Sequence, residues 1–235
     1  MSEKTKTFIM LMFVVLAIML IFIQREKEAK EMKVANAVTQ NKQFIKLPSP
    51  SKRGAMSLEE VISKRRSKRS YMDKSLSRQQ ISQVLWAGQG ITDTKNKFRS
   101  APSAGGLYPL EIYMVSKEAL YHYLPDSHTL EKLSGEDLRN NLSEAAMGQS
   151  SIKEAPASIV ITAVYERTTV KYQERGVMYV HIEAGHAAEN IQLQAVALGL
   201  GSVPVGAFSE EQVSNVLSLP EGCKPLYIIP VGYAK

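Results

Sequence analysis

The sequence predicts an α+β layer fold, helices packed on a mixed sheet, behind a single N-terminal membrane-spanning helix. Three observations lead there. Capped amphipathic segments alternate with β-branched and aromatic runs, without the strict regularity of repeated βαβ units. The stretch 56–235 is long enough to enclose one sizeable core. Phe8–Ile23 carries neither a charge nor a strong helix breaker.

The apolar run comes first. As a helix of 16 residues it would be roughly 24 Å long, short for a hydrocarbon core of about 30 Å, with Lys4, Lys6 and Arg25 able to snorkel. A signal peptide would want small residues just after the run. Gln24-Arg25-Glu26-Lys27 follows instead, so an uncleaved anchor is expected over 1–24. Lys and Arg flank both ends in similar number and leave the membrane side open. Residues 25–55 read as a linker, mixed in charge at first and ending in Leu47-Pro48-Ser49-Pro50, which cannot be helical throughout. The folded domain is expected over 56–235.

Within it, caps mark the helices. Ser57-Leu58-Glu59-Glu60 and Ser77-Arg78-Gln79-Gln80 are capping boxes, the second closed by Gly88 or Gly90. Ser134 is expected to cap a helix reaching Met147, a long helix is expected over 177–200, and Ser209-Glu210-Glu211-Gln212 opens a short one. Strands are expected at 110–115, 120–124, 158–164 and 226–231, the first two spaced for a hairpin.

Net charge +6 suits an anionic partner but does not choose one. The single cysteine, Cys223, rules out an intrachain disulfide and a Cys-rich zinc site. The charge is concentrated: five of the six residues Lys64-Arg65-Arg66-Ser67-Lys68-Arg69 are cationic. Such crowding makes sense around a dianion, whose oxygens match guanidinium forks and the Ser67 hydroxyl, and also as a solvated helix end favoured by the dipole. Nucleic acid would need cations spread among aromatic residues, so it is not expected as a partner. Two further segments are loops when read alone: Ala101-Pro102-Ser103-Ala104-Gly105-Gly106-Leu107-Tyr108-Pro109, whose small residues allow a flat ligand to approach closely, and Gly199-Leu200-Gly201-Ser202-Val203-Pro204-Val205-Gly206.

Taken in order, these segments resemble the nitroreductase superfamily of FMN enzymes, and within it the SagB-type branch that includes azoline oxidases. Ala87-Gly88-Gln89-Gly90-Ile91-Thr92, Glu183-Ala184-Gly185-His186-Ala187-Ala188-Glu189-Asn190 and Pro230-Val231-Gly232-Tyr233 complete the pattern, which spans about 58–235. The resemblance implies a three-layer fold whose central sheet is mixed but mostly antiparallel. It implies a homodimer with FMN at the interface, NAD(P)H as a candidate electron donor, and a small-molecule or modified-peptide substrate. Arg65, Arg66, Ser67 and Arg69 would hold the FMN phosphate, with Lys235 adding a contact. Pro102, Ser103, Ala104 and Gly105 would line the flavin ring. Pro204, Val205 and Gly206 would pass over it, the Gly206 N–H near N5. Lys171 and Tyr172 match a Lys-Tyr pair that serves as base in azoline-oxidising relatives; a surface lysine beside a packed tyrosine is the competing reading. FMN does the redox chemistry itself, so no acid–base triad is needed. The alternative function is a non-catalytic flavin-binding scaffold at a membrane.

Glu183-x-x-His186 resembles half of a carboxylate di-iron site, but a full site needs a second such pair, and none lies on an expected helix. No metal is expected.

Overall fold

The computed structural model describes residues 42–235, together with Met19, Gln24 and Arg25. Apart from Met19, the expected anchor at Phe8–Ile23 lies outside the described residues, as does the linker from 26 to 41. Among the described residues, no helix is long and apolar enough to cross a membrane.

In chain order the elements are β1 (Gln43–Lys46), α1 (Leu58–Lys64), α2 (Arg78–Gln89), β2 (Ile91–Asp93), β3 (Phe98–Arg99), β4 (Leu110–Ser116), β5 (Leu120–Leu124) and β6 (Thr129–Ser134). There follow α3 (Arg139–Ala145), α4 (Ser150–Glu154), β7 (Ala157–Val164), α5 (Glu166–Tyr172), α6 (Glu174–Ala197), β8 (Gly201–Ser202), α7 (Glu210–Leu217) and β9 (Cys223–Gly232). Seven strands form one sheet in the order β1-β6-β5-β4-β7-β9-β8, and β2 pairs with β3 apart from it. Every ladder in the large sheet is antiparallel, so the expected mixed sheet is corrected. The parallel pairing among the described residues is the isolated bridge Ser67–Ser202.

Period-two alternation in the central strands builds three layers. Ile112 and Met114 of β4, with Ile159 and Ile161 of β7, turn to one face and pack on Val84 and Leu85 of α2 and on Val180, Ala184 and Ile191 of α6. Tyr113 and Val115, with Val160, turn to the other and meet Leu142, Ile152, Val213 and Leu217 of α3, α4 and α7. Because β7 is covered on both faces, it is buried almost throughout. Gly88 lets α2 close on α6: a Cβ there would sit 3.0 Å from Ile191 Cδ1.

The folded unit starts earlier than expected. Gln43–Lys46 forms an edge strand on β6. Leu47 is buried behind it. Ser51 exchanges hydrogen bonds with the Gln83 side chain, donating its N–H at 2.8 Å and accepting at 3.0 Å. The compact unit therefore begins at Gln43 rather than near Met56. The helix expected from Ser134 begins at Arg139, because Thr129–Ser134 pairs with β5 instead. The long helix starts at Glu174, behind a separate α5 that ends at Gln173, whose φ of 50° and ψ of −137° break the helical path.

Candidate active site

The described residues expected to bind a cofactor fall into two clusters. The first is built on the chain leaving α1. That helix is capped at Ser57, whose hydroxyl accepts the Glu60 N–H at 3.2 Å, and ends with the Arg65 N–H bonded to Val61 O. The chain then runs along the sheet edge beyond β8. Lys68 N–H donates to Ser202 O at 3.0 Å, Met72 N–H to Tyr233 O at 2.8 Å, and Lys235 N–H to Ser70 O at 3.1 Å. Tyr71, 1% exposed, is the keystone: its hydroxyl lies 2.6 Å from Lys68 O and 3.2 Å from Pro230 O, and burial pushes its pKa well up.

This stitching brings Ser67, Arg69 and Lys235 to one edge. Arg65 Nε lies 3.7 Å from Glu189 Oε1 of α6, and Lys235 Nζ lies 3.3 Å from Glu154 Oε2. Arg66 departs from the expected set. Its guanidinium folds back onto Arg65 O at 2.6 Å, and with Lys64 and Lys68 it lines a separate cavity against Leu200 and Gly201. The cause is the alternation of an extended chain, which sends successive side chains to opposite sides.

Val205 belongs to the same region. It exchanges both backbone hydrogen bonds with Ile228 of β9, at 2.8 and 3.0 Å, which fixes half-buried Pro204 before it and exposed Gly206 after it. Gly206 opens on a cavity of about 580 Å³ shared with Tyr165, Val177, His181, Phe208 and Tyr227, within the usual range for a small-molecule pocket. On its wall the Tyr165 hydroxyl meets His181 Nε2 at 2.6 Å.

The second cluster is the turn after β3. Pro102 and Gly105 are exposed, Ser103 and Ala104 half-buried. Gly105 and Gly106 sit at φ 64° and 65°, a conformation that suits glycine. Lys171 and Tyr172, at the end of α5, converge on this turn: a Cβ on Gly105 would lie 2.8 Å from the Tyr172 hydroxyl and 3.0 Å from Lys171 Nζ. Arg167 of the same helix braces the turn by donating to Tyr108 O at 3.2 Å and pairing with Glu111 at 2.6 Å. Burial pushes the Glu111 carboxyl up, but its bonds to His122 and Arg167 outweigh that and hold it below the usual range.

Sequence reasoning missed Glu183 as a buried acid of α6. It is 2% exposed, its Oε1 lies 3.5 Å from Gln89 Nε2, and burial pushes its pKa up to about 7. His186, one turn further along α6, is exposed, so the two do not share an environment. Among the described residues, no three His, Cys, Asp or Glu side chains gather as metal ligands would. No hydrogen bond or ion pair among the described residues joins the Arg65–Lys235 cluster to the Ser103–Lys171 cluster.

The sequence profile of the nitroreductase family matches residues 62–233, which take in both clusters apart from Lys235. The chain belongs to the nitroreductase family. It is 42% identical over 181 residues to a protein of Methanocaldococcus jannaschii provisionally named a nitroreductase, covering 74% of this chain and 90% of that one. A crystal structure from Ralstonia eutropha, provisionally a nitroreductase, superposes with a TM-score of 0.75 at 30% identity, over 82% of this chain and 90% of that one. The microcin B17-processing protein McbC of Escherichia coli is 26% identical over 163 residues, 64% of this chain and 60% of that protein. Flavin oxidoreductases, an FMN reductase of Bacillus subtilis among them, stand among the relatives.

The residues fit FMN. Arg65, Ser67, Arg69 and Lys235 carry N–H and O–H donors of the kind a phosphate accepts. The Gly105–Gly106 turn offers bare backbone to a flat ring, and a Cβ on Gly106 would meet nothing within 4 Å.

Proposed function

We propose that this chain is an FMN-dependent oxidoreductase that passes hydride between flavin N5 and an organic substrate, with NAD(P)H as electron donor or dioxygen as acceptor completing the cycle. The observation that carries the reading is the cationic strand 65–69, stitched to Ser202 with Ser70 held by Lys235, so that donors for a dianion are held in place before it arrives. Bound FMN supplies the hydride chemistry. Arg65, Ser67, Arg69 and Lys235 hold its phosphate, the Pro102–Gly105 turn lines its ring, and the Gly206 N–H, beyond the Val205–Ile228 pairing, orients N5.

Two half-sites within one chain argue for a homodimer, in which the phosphate half of one protomer meets the ring-lining turn of the other. Exposed Leu58 and Ile62 of α1, Val170 of α5 and Ile182 of α6 are apolar side chains that such a contact could cover. In the dehydrogenase direction Lys171 would take the proton lost from the substrate ring, with Tyr172 assisting, while the hydride passes to FMN and the electrons leave to dioxygen; the convergence of both residues on Gly105 supports this. The likeness to a microcin-processing protein makes a modified peptide a candidate substrate. The charge-free run Phe8–Ile23 supports tethering to a membrane, which resistance to carbonate extraction would check.

Purified full-length protein should be yellow, release FMN on denaturation and bleach in stopped flow with NADH or NADPH. Colourless protein that cannot be loaded with FMN defeats the reading; reduction by dithionite alone defeats its nicotinamide part.

A further inference from the structure

The cationic run carries more charge than one phosphate uses. The chain leaving α1 is extended, so Arg66 and Lys68 share one side while Arg65, Ser67 and Arg69 share the other. A phosphate held by Arg65 and Arg69 therefore leaves Arg66 and Lys68 without a counter-charge. On their own side these two line, with Lys64, a cavity of about 470 Å³ whose walls include Met56, Val196, Leu200 and the Tyr233 ring. Lys64 is already paired with Glu60 at 2.6 Å. Arg66 uses Nη1 alone, on Arg65 O at 2.6 Å and Ser63 O at 3.5 Å, which leaves the donors on Nε and Nη2. Among the described residues, no carboxylate pairs with Arg66 or Lys68. The backbone holds Lys68 in place. Its N–H donates to Ser202 O at 3.0 Å, and its stem lies so close to Gly201 that a Cβ there would come within 2.7 Å of Lys68 Cβ. Lys74 adds a cation at the same wall, its Nζ 3.9 Å from the centroid of the Tyr233 ring.

We propose that this cavity is a second anion site, which takes a phosphate monoester carried on an apolar body. A bare ion would meet the cations but leave the apolar walls wet, and an apolar molecule would do the reverse. A ligand with both parts satisfies both. The Arg66 fork and the Lys68 ammonium hold the phosphate oxygens, and the body lies along Leu200, Val196 and the Tyr233 ring. The volume suits a small molecule. The site stands back to back with the proposed flavin phosphate site, on alternate side chains of one extended segment. It goes beyond the flavin reading and does not rest on it. A soluble phosphate ester and a lipid headgroup share this chemistry.

The test uses the full chain in one nonionic detergent, loaded with FMN and freed of excess. Inorganic phosphate, phenyl phosphate and dihexanoyl phosphatidate below its micellar concentration are titrated by calorimetry. The parent should bind phenyl phosphate about ten-fold more tightly than inorganic phosphate, as burial of the ring predicts. Arg66→Ala and Lys68→Ala should each weaken phenyl phosphate about ten-fold or more, the loss of a charge-assisted bond, with flavin content unchanged. That unchanged flavin shows that the variants fold. Replacing Arg65 and Arg69 together with Ala should do the opposite, losing flavin and keeping phenyl phosphate. Tighter binding of the phosphatidate than of phenyl phosphate assigns the site to a lipid headgroup, and any other order assigns it to a soluble ester. The proposal is overturned by a parent that takes up no phenyl phosphate or holds it no better than inorganic phosphate. It is equally overturned if Arg66→Ala and Lys68→Ala both bind phenyl phosphate as the parent does. A parent that binds it through Arg66 and Lys68, yet never retains FMN, sinks the flavin reading and upholds this one.

Discussion

Gly105 and Gly106 make a matched pair of probes. Both have φ near +65°, so alanine at either pays the left-handed penalty of about 1–2 kcal/mol. For a unit of this size each kcal/mol lowers Tm by roughly 2–4 °C, so both variants should melt roughly 2–8 °C below the parent. The new methyl differs in what it meets. At Gly106 it finds nothing within 4 Å; at Gly105 it lies 2.8 Å from the Tyr172 hydroxyl and 3.0 Å from Lys171 Nζ. Both atoms end flexible side chains and can swing aside, so Gly105→Ala should lose little extra stability. It should instead push Lys171 and Tyr172 off the turn, and a displacement of about 1 Å at a reacting group can cost about 100-fold in rate. Calorimetry gives the first quantity. Oxidation of a thiazoline model peptide by the FMN-loaded enzyme, with flavin content matched, gives the second. Equal turnover by the two variants would refute a chemical role for the Lys171–Tyr172 contact. An unchanged Tm for both would refute the backbone argument.

Replacing Arg65 and Arg69 together with Ala removes two charge-assisted phosphate contacts and should weaken FMN binding by about 3 kcal/mol or more, at least a hundred-fold, as read by ultrafiltration. Arg66→Ala should retain FMN, because that guanidinium is turned onto Arg65 O. Folded Glu183 holds its proton more tightly than the unfolded chain, about 7 against 4.5. Its stabilisation is therefore full below about 4.5 and lost as pH rises through about 7, about 3 kcal/mol in all, and urea melts of Glu183→Gln should lack that slope. Ile191→Ala, at the closest approach of α2 and α6, should cost about 2–5 kcal/mol in the same melts without changing the FMN spectrum.

The sequence made the central strands legible because their alternation or continuous apolarity is strong: 110–115, 120–124, 158–164 and 226–231 all lie within observed strands. Thr129–Ser134 was less visible. Its inward Glu131 breaks the apolar pattern, and Ser134 looks like a cap. Gln43–Lys46 was hidden by its shortness and by its exposure, Ile45 alone being half-buried, since an edge strand needs only its backbone paired. The cationic run stood out as a cluster, but local spacing did not reveal that an edge pairing with Ser202 would turn Arg66 away from Arg65 and Ser67. Glu183-x-x-His186 stood out only for its likeness to half of a di-iron site, set aside for want of a second pair. Only the fold brings Gln89 of α2 beside Glu183 and buries that acid, which no local spacing encodes.

Tyr71 and its neighbours do more than present donors. By lying across the two-residue β8 and pairing with the strand end at Tyr233 and Ala234, residues 67–72 close the rim of the sheet. An open rim is a template on which another chain can add a strand. A ligand gripping this segment therefore also guards against misassembly. Loosening residues 67–72 would bare the β8 edge, and self-association through an added strand is the expected consequence.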